Sequence, residues 1–101
     1  MLIRIVKMTF ATEHIDTFKA LFDRQKQKIR AAEGCLRLEL LQNKEIPEQF
    51  FTYSWWQDPQ NLENYRNSEL FISTWAETKV LFAAKPEAWS LNRLIELGEQ
   101  L

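Results

Sequence analysis

Residues 50 to 56 read Phe-Phe-Thr-Tyr-Ser-Trp-Trp, five aromatic side chains in seven positions. A β-strand turns alternate side chains to opposite faces. The segment therefore predicts Phe50, Thr52, Ser54 and Trp56 on one face, and Phe51, Tyr53 and Trp55 on the other. Both faces carry bulk that gains by leaving water, so this strand must be covered twice. A chain of 101 residues makes one domain with a single core. One layer of helices covers one face of a sheet, and something else has to cover the second.

The rest of the chain supplies the first layer. Leu2 to Phe10 is rich in β-branched and apolar residues and reads as a strand. From Thr12 the period changes: Ile15, Phe18, Leu21, Phe22, Ile29 and Ala32 fall at helical spacings, with Thr12 as N-cap and Gly34 ending the helix in a left-handed turn. Cys35 to Gln42 follows as a strand, with Leu36, Leu38 and Leu40 alternating against Arg37 and Glu39. A polar turn over Asn43 to Glu48 joins it, as a hairpin, to the aromatic strand Gln49 to Trp56. Asp58-Pro59 starts a second helix carrying Leu62 and Tyr65, which breaks near Asn67-Ser68. Ser68 caps a further segment in which Phe71, Trp75, Thr78 and Phe82 line up. Pro86 ends it, and Ala88 to about Leu94 reads as the last strand. Residues 95–101 receive no assignment.

This order, βαββαβ over residues 1–101 as one domain, is the α+β ferredoxin-like arrangement with a four-stranded antiparallel sheet. Right-handed crossovers put the helices on one face. On the other, Phe51, Tyr53 and Trp55 alone would bury ~500 Å² at ~150–250 Å² per aromatic. At ~25 cal/mol per Å² that is on the order of 12 kcal/mol, an upper bound. Ile3 and Ile5 extend the same surface, and Lys7, Arg37 and Glu39 join it as a few paired charges. The economical cover is a second copy of the chain, sheet against sheet, in a homodimer that forms a dimeric α/β barrel.

Charge argues against several partners. Thirteen Lys and Arg against fourteen Asp and Glu give a net charge of -1, no footprint for nucleic acid or an anionic membrane. The basic run Arg24 to Arg30 reads as the solvated side of a helix. No apolar run is long enough to cross a membrane and no signal peptide opens the chain, so a cytoplasmic location is expected. One Cys and one His make a protein-built metal site improbable, and two separated glycines give no phosphate-cradling loop. Cys35 reads as a small buried hydrophobe at a strand start. No cofactor is expected.

The stretch from Trp56-Gln-Asp-Pro through Leu62, Tyr65 and Ser68 to Phe71 resembles the signature of the antibiotic biosynthesis monooxygenase family, and Val6-Lys-Met-Thr-Phe10 is also similar to it. The resemblance implies a dimeric α/β barrel. It also implies cofactor-free oxygenation of polycyclic phenols or anthrones, in which an ionised, electron-rich substrate itself reduces oxygen. Haem-degrading relatives of this fold use a strand-one Asn, a strand-three Trp and a helix-two His. Trp56 matches their Trp, but Val6 and Trp75 stand at the other two positions, which argues against haem degradation. Tyr65 stands where the family commonly carries His, and a tyrosine with an ordinary pKa near ~10 is a poor base at neutral pH.

The residues that could serve a site are few. Thr52, Ser54, Trp56, Tyr65 and Trp75 are the candidates for a pocket beneath the helices, with Trp56 and Trp75 as walls for a flat ligand; the same residues could equally be packed core. Ile3, Ile5, Phe51, Tyr53 and Trp55 are the candidates for the dimer face, and Trp89 for that face or the core. Arg66 could hold an acidic ligand or serve a surface ion pair. His14, at the start of the first helix, is expected at a solvent-exposed terminus rather than in catalysis. Asp58 and Glu69 are explained as acids at helix N-termini. The expected function is a cofactor-independent monooxygenase acting on a small aromatic or quinone-like substrate in a helix-roofed pocket. The alternatives are a non-catalytic small-molecule-binding dimer and a dimeric module with no cavity.

Overall fold

The computed structural model describes residues 1–98. Strand β1 (Leu2–Thr9) leads through a short 3-10 turn (Thr12–His14) into helix α1 (Ile15–Arg30). The hairpin β2 (Cys35–Gln42) and β3 (Gln49–Trp56) follows, then α2 (Pro59–Arg66), α3 (Glu69–Lys79) and β4 (Glu87–Asn92). The sheet order is β2-β3-β1-β4, every neighbouring pair antiparallel. This is the expected ferredoxin-like architecture, with the second helical region split in two.

Local chemistry explains the boundaries. Gly34 does not end α1 as expected: the helix stops at Arg30 with Ala31 as its C-cap. Gly34, at φ +82, is the third residue of the turn Ala32–Cys35 that leads into β2, a left-handed conformation that glycine adopts without strain. Its carbonyl accepts from the Gln57 amide at 2.8 Å, tying that turn to the end of β3. Asp58 caps α2 by accepting from the Gln60 amide at 2.7 Å, with Pro59 as first helical residue. Ser68 both ends α2 and starts α3: its hydroxyl donates to the Tyr65 carbonyl at 2.6 Å and accepts from the Phe71 amide at 3.2 Å.

Three further expectations need correction. Thr12 does not cap α1; its hydroxyl donates to the Glu48 carboxylate at 2.9 Å, and it opens the 3-10 turn that precedes the helix, whose N-cap position falls to His14. Leu36 does not share a face with Leu38 and Leu40, because the ladder slips between Cys35 and Arg37 and leaves Leu36 exposed. The last strand covers Glu87–Asn92 rather than Ala88 to Leu94.

The register fixes what each face of the sheet shows. On the helix side Leu2 pairs with Trp56, Arg4 with Ser54, Val6 with Thr52 and Met8 with Phe50. On the outer side Ile3 pairs with Trp55 and Leu91, Ile5 with Tyr53 and Trp89, and Lys7 with Phe51 and Glu87. The helix-side core is not continuous. One buried cluster holds Met8, Phe10, Phe18, Phe50 and Leu81. The other holds Leu2, Cys35, Trp56 and Leu62. Between them, β1 and β3 present Arg4, Val6, Thr52 and Ser54. These four polar or short side chains cannot fill the space that the aromatics fill at either end.

Candidate functional site

That gap is a cavity of about 280 Å³, just under the usual range for ligand pockets, roofed by α1, α2 and α3. Thr52, Ser54 and Trp56 form its floor along β3, Tyr65 comes from α2, and Trp75 from α3. The five candidates picked from the sequence thus stand around one space. Arg4, Arg66 and Phe71 line it too.

The aromatic wall is a chain of ring contacts. Trp56 and Tyr65 stack with centroids 5.1 Å apart, Tyr65 meets Phe71 edge-on at 5.3 Å, and Phe71 lies parallel to Trp75 at 5.9 Å. The Tyr65 stack changes the role open to Trp56. With 1% of its surface exposed, it supports the floor, and a flat ligand would meet Tyr65, Phe71 and Trp75 more than the indole.

The hydroxyls differ in what they have left to offer. Ser54 Oγ accepts the Trp56 indole N–H at 2.9 Å, which leaves the serine proton to donate. Thr78, buried, spends its hydroxyl on the Thr74 carbonyl at 2.7 Å, and Thr74 accepts from Gln25 at 3.1 Å. Thr52 and Tyr65 make no side-chain hydrogen bond to another described residue. Burial, with a smaller contribution from the Cys35 thiol, pushes the Tyr65 phenol up to about 12. At neutral pH it is a neutral donor or acceptor and not a base.

Arg4 is the residue that sequence reasoning passed over. It alternates with Leu2, Val6 and Met8, so a charge on the core side of β1 was there to be read. Its guanidinium donates to Ser90 Oγ at 2.9 Å. Arg66, which could have served a surface ion pair, has none among the described residues. His14 lies outside the cavity; it is half-buried rather than exposed, with Nδ1 3.4 Å from the Leu81 carbonyl oxygen.

On the outer face, Ile3, Ile5, Phe51, Tyr53 and Trp55 lie together as the register requires. Two cations lie over the Trp55 ring, with the Arg93 guanidinium 4.5 Å and the Arg37 guanidinium 5.2 Å from its centre. Its indole N–H is buried and has no acceptor among the described residues. Trp89, Leu91 and Leu41 continue the apolar surface and are each more than two-fifths exposed.

The fold is shared widely among solved structures. A crystal structure of an antibiotic biosynthesis monooxygenase superposes with a TM-score of 0.88 at 20% identity, over 94% of this chain and all 100% of that one. The PA3566 protein of Pseudomonas aeruginosa is 26% identical, with a TM-score of 0.82 over 93% of this chain and 94% of its own. A mutant of SnoaB, a cofactor-independent oxygenase from Streptomyces nogalater, superposes with a TM-score of 0.86 at 15% identity over 97% of each chain. None of the curated proteins matches the chain. The family model for antibiotic biosynthesis monooxygenases matches residues 1–76, which span β1 through most of α3. The chain belongs to the antibiotic biosynthesis monooxygenase family.

Proposed function

We propose that this protein is a cofactor-independent monooxygenase whose substrate is a small hydroxyaromatic or quinone-like molecule bound between the helices and the sheet. The observation that carries this reading is the split core: Thr52 and Ser54 sit where close packing would need large apolar groups, and the resulting cavity is walled by Tyr65, Phe71 and Trp75. Family membership and the oxygenase likeness of SnoaB support it. The chemistry asks little of the protein. An anthrone-type substrate, ionised, passes an electron to O2, and the two radicals combine into a peroxide. Loss of water then leaves a quinone, so that one oxygen atom of O2 enters the product and the other leaves as water. The substrate is the reductant. The protein supplies orientation and a dry space.

The same reading includes a second copy of the chain on the outer face of the sheet. The support is the set of apolar side chains that the register gathers on that face: Ile3, Ile5, Phe51, Tyr53 and Trp55, each partly exposed, with Trp89 exposed beside them. The pocket is tested by titrating the protein with hydroxynaphthalenes, anthrones and quinones and following binding by calorimetry. Saturable binding that is lost in Thr52→Leu, which fills the floor, supports it. Binding unchanged in that variant contradicts it.

A further inference from the structure

The proposed reaction needs an ionised substrate, and the cavity offers no ordinary base to ionise it. Tyr65 is a neutral phenol with its pKa pushed up to about 12. The lining side chains from α1, α3, β2 and β3 are all uncharged, and the one carboxylate among the lining residues is Glu87 of β4, which is exposed. What the cavity has instead is positive charge. Arg4 stands half-buried on the helix side of β1, and Arg66 ends α2. Neither forms an ion pair with a carboxylate among the described residues. Burial, and after it the charge of Arg66, lowers the pKa of Arg4 from its ordinary value, so the two cations bear on one another. Like charges facing one apolar space repel, and an anion placed between them removes that repulsion. Guanidinium groups present N–H donors suited to an oxygen anion and keep their charge at any ordinary pH.

We propose that Arg4 and Arg66 form an oxyanion subsite, which takes the hydroxyaromatic ligand as its phenolate or enolate and so replaces a basic side chain. The O–H bond breaks, the proton passes to solvent water, and the electron pair stays on the ligand oxygen facing the guanidinium groups. The inference rests on the pocket reading above. Two influences oppose each other at that oxygen. The apolar walls raise a phenol's pKa, as they do for Tyr65, while the arginines lower it. The sign of the shift shows which prevails.

A chromogenic phenol reads that sign directly. The probe is 4-nitro-1-naphthol, whose anion absorbs in the visible; it is titrated with pH free and in the presence of saturating protein, after equilibrium dialysis has measured retention. The bound probe should ionise at least about one pH unit below the free probe, a tenfold preference for the anion. Arg66→Gln and Arg4→Gln should each remove most of that shift, and Arg66→Lys should keep part of it. Arg66 is exposed, so its variants test the charge without disturbing the core. A bound probe whose pKa is unchanged or raised overturns the subsite and leaves the pocket reading intact. A probe not retained in either form overturns both.

Discussion

Trp56 donates its indole N–H to the hydroxyl oxygen of Ser54 at 2.9 Å, and both residues are buried. They stand two apart on one strand, so the bond needs no long-range arrangement beyond the strand itself. It satisfies the only polar atom of a large core side chain. Ser54→Ala would leave that N–H buried and unpaired, at a cost of about 1–3 kcal/mol. Urea unfolding should show the loss, and adding Trp56→Phe to Ser54→Ala should cost less than the sum of the two single changes.

Tyr65 makes stability depend on alkaline pH. Its folded pKa, about 12, lies above the ordinary value of 10.0. Below pH ~10 the phenol is protonated whether the chain is folded or not, and the contribution is fully present. Between ~10 and ~12 the unfolded chain ionises first, so stability falls as pH rises, by up to a few kcal/mol. Thermal unfolding should fall less steeply from pH 9.5 to 11.5 in Tyr65→Phe than in the wild type. Parallel curves would show that the phenol is not held neutral by burial.

Gly34 lies in the turn that carries the chain from the end of α1 into β2. Alanine there would have to adopt φ +82, and its Cβ would run into the side chain of Asn61 at the start of α2. The left-handed backbone alone costs roughly 1–2 kcal/mol. Gly34→Ala should lower stability by at least that much in denaturant unfolding, while a loss below about 0.5 kcal/mol would mean that the turn relaxes.

The outer face makes its own prediction. Tyr53 and Trp55 meet edge-on at 6.2 Å in the middle strand of the apolar surface. Tyr53→Lys would place a charge at the centre of a sheet-to-sheet contact. Sedimentation at micromolar concentration should give a dimer for the wild type and a monomer for the variant. A wild-type monomer would contradict the proposed assembly.

The two faces of β3 were legible because alternation is the strongest signal a strand carries, and here every second residue is aromatic or small. The helix starts were legible where the chain punctuates itself: Asp58-Pro59 and Ser68 each do locally what their chemistry predicts, whereas α1 stops at Arg30, short of Gly34. What was not legible depends on neighbours. The slip between Cys35 and Arg37 that exposes Leu36 is a property of the pairing. Thr12 found a longer-range acceptor in Glu48, 36 residues away, which no helix-start rule anticipates. The stacking of Tyr65 on Trp56, which leaves a ligand little of the indole to meet, follows from how α2 lies on the sheet. Arg4 is the instructive case. Its position among Leu2, Val6 and Met8 marked it as a charge facing the core, and only the split core shows that it faces a space instead.

The most direct test of the central claim is oxygen consumption with anthrone as substrate under 18O2, followed by mass analysis of the product. An oxygenase of this kind gives uptake well above spontaneous oxidation, one O2 consumed per anthrone, and one labelled oxygen in the resulting quinone, with the excess rate lost in Thr52→Leu. Uptake no faster than in buffer, with a ligand that calorimetry shows to be bound, would contradict the claim and leave a binding protein in place of an oxygenase.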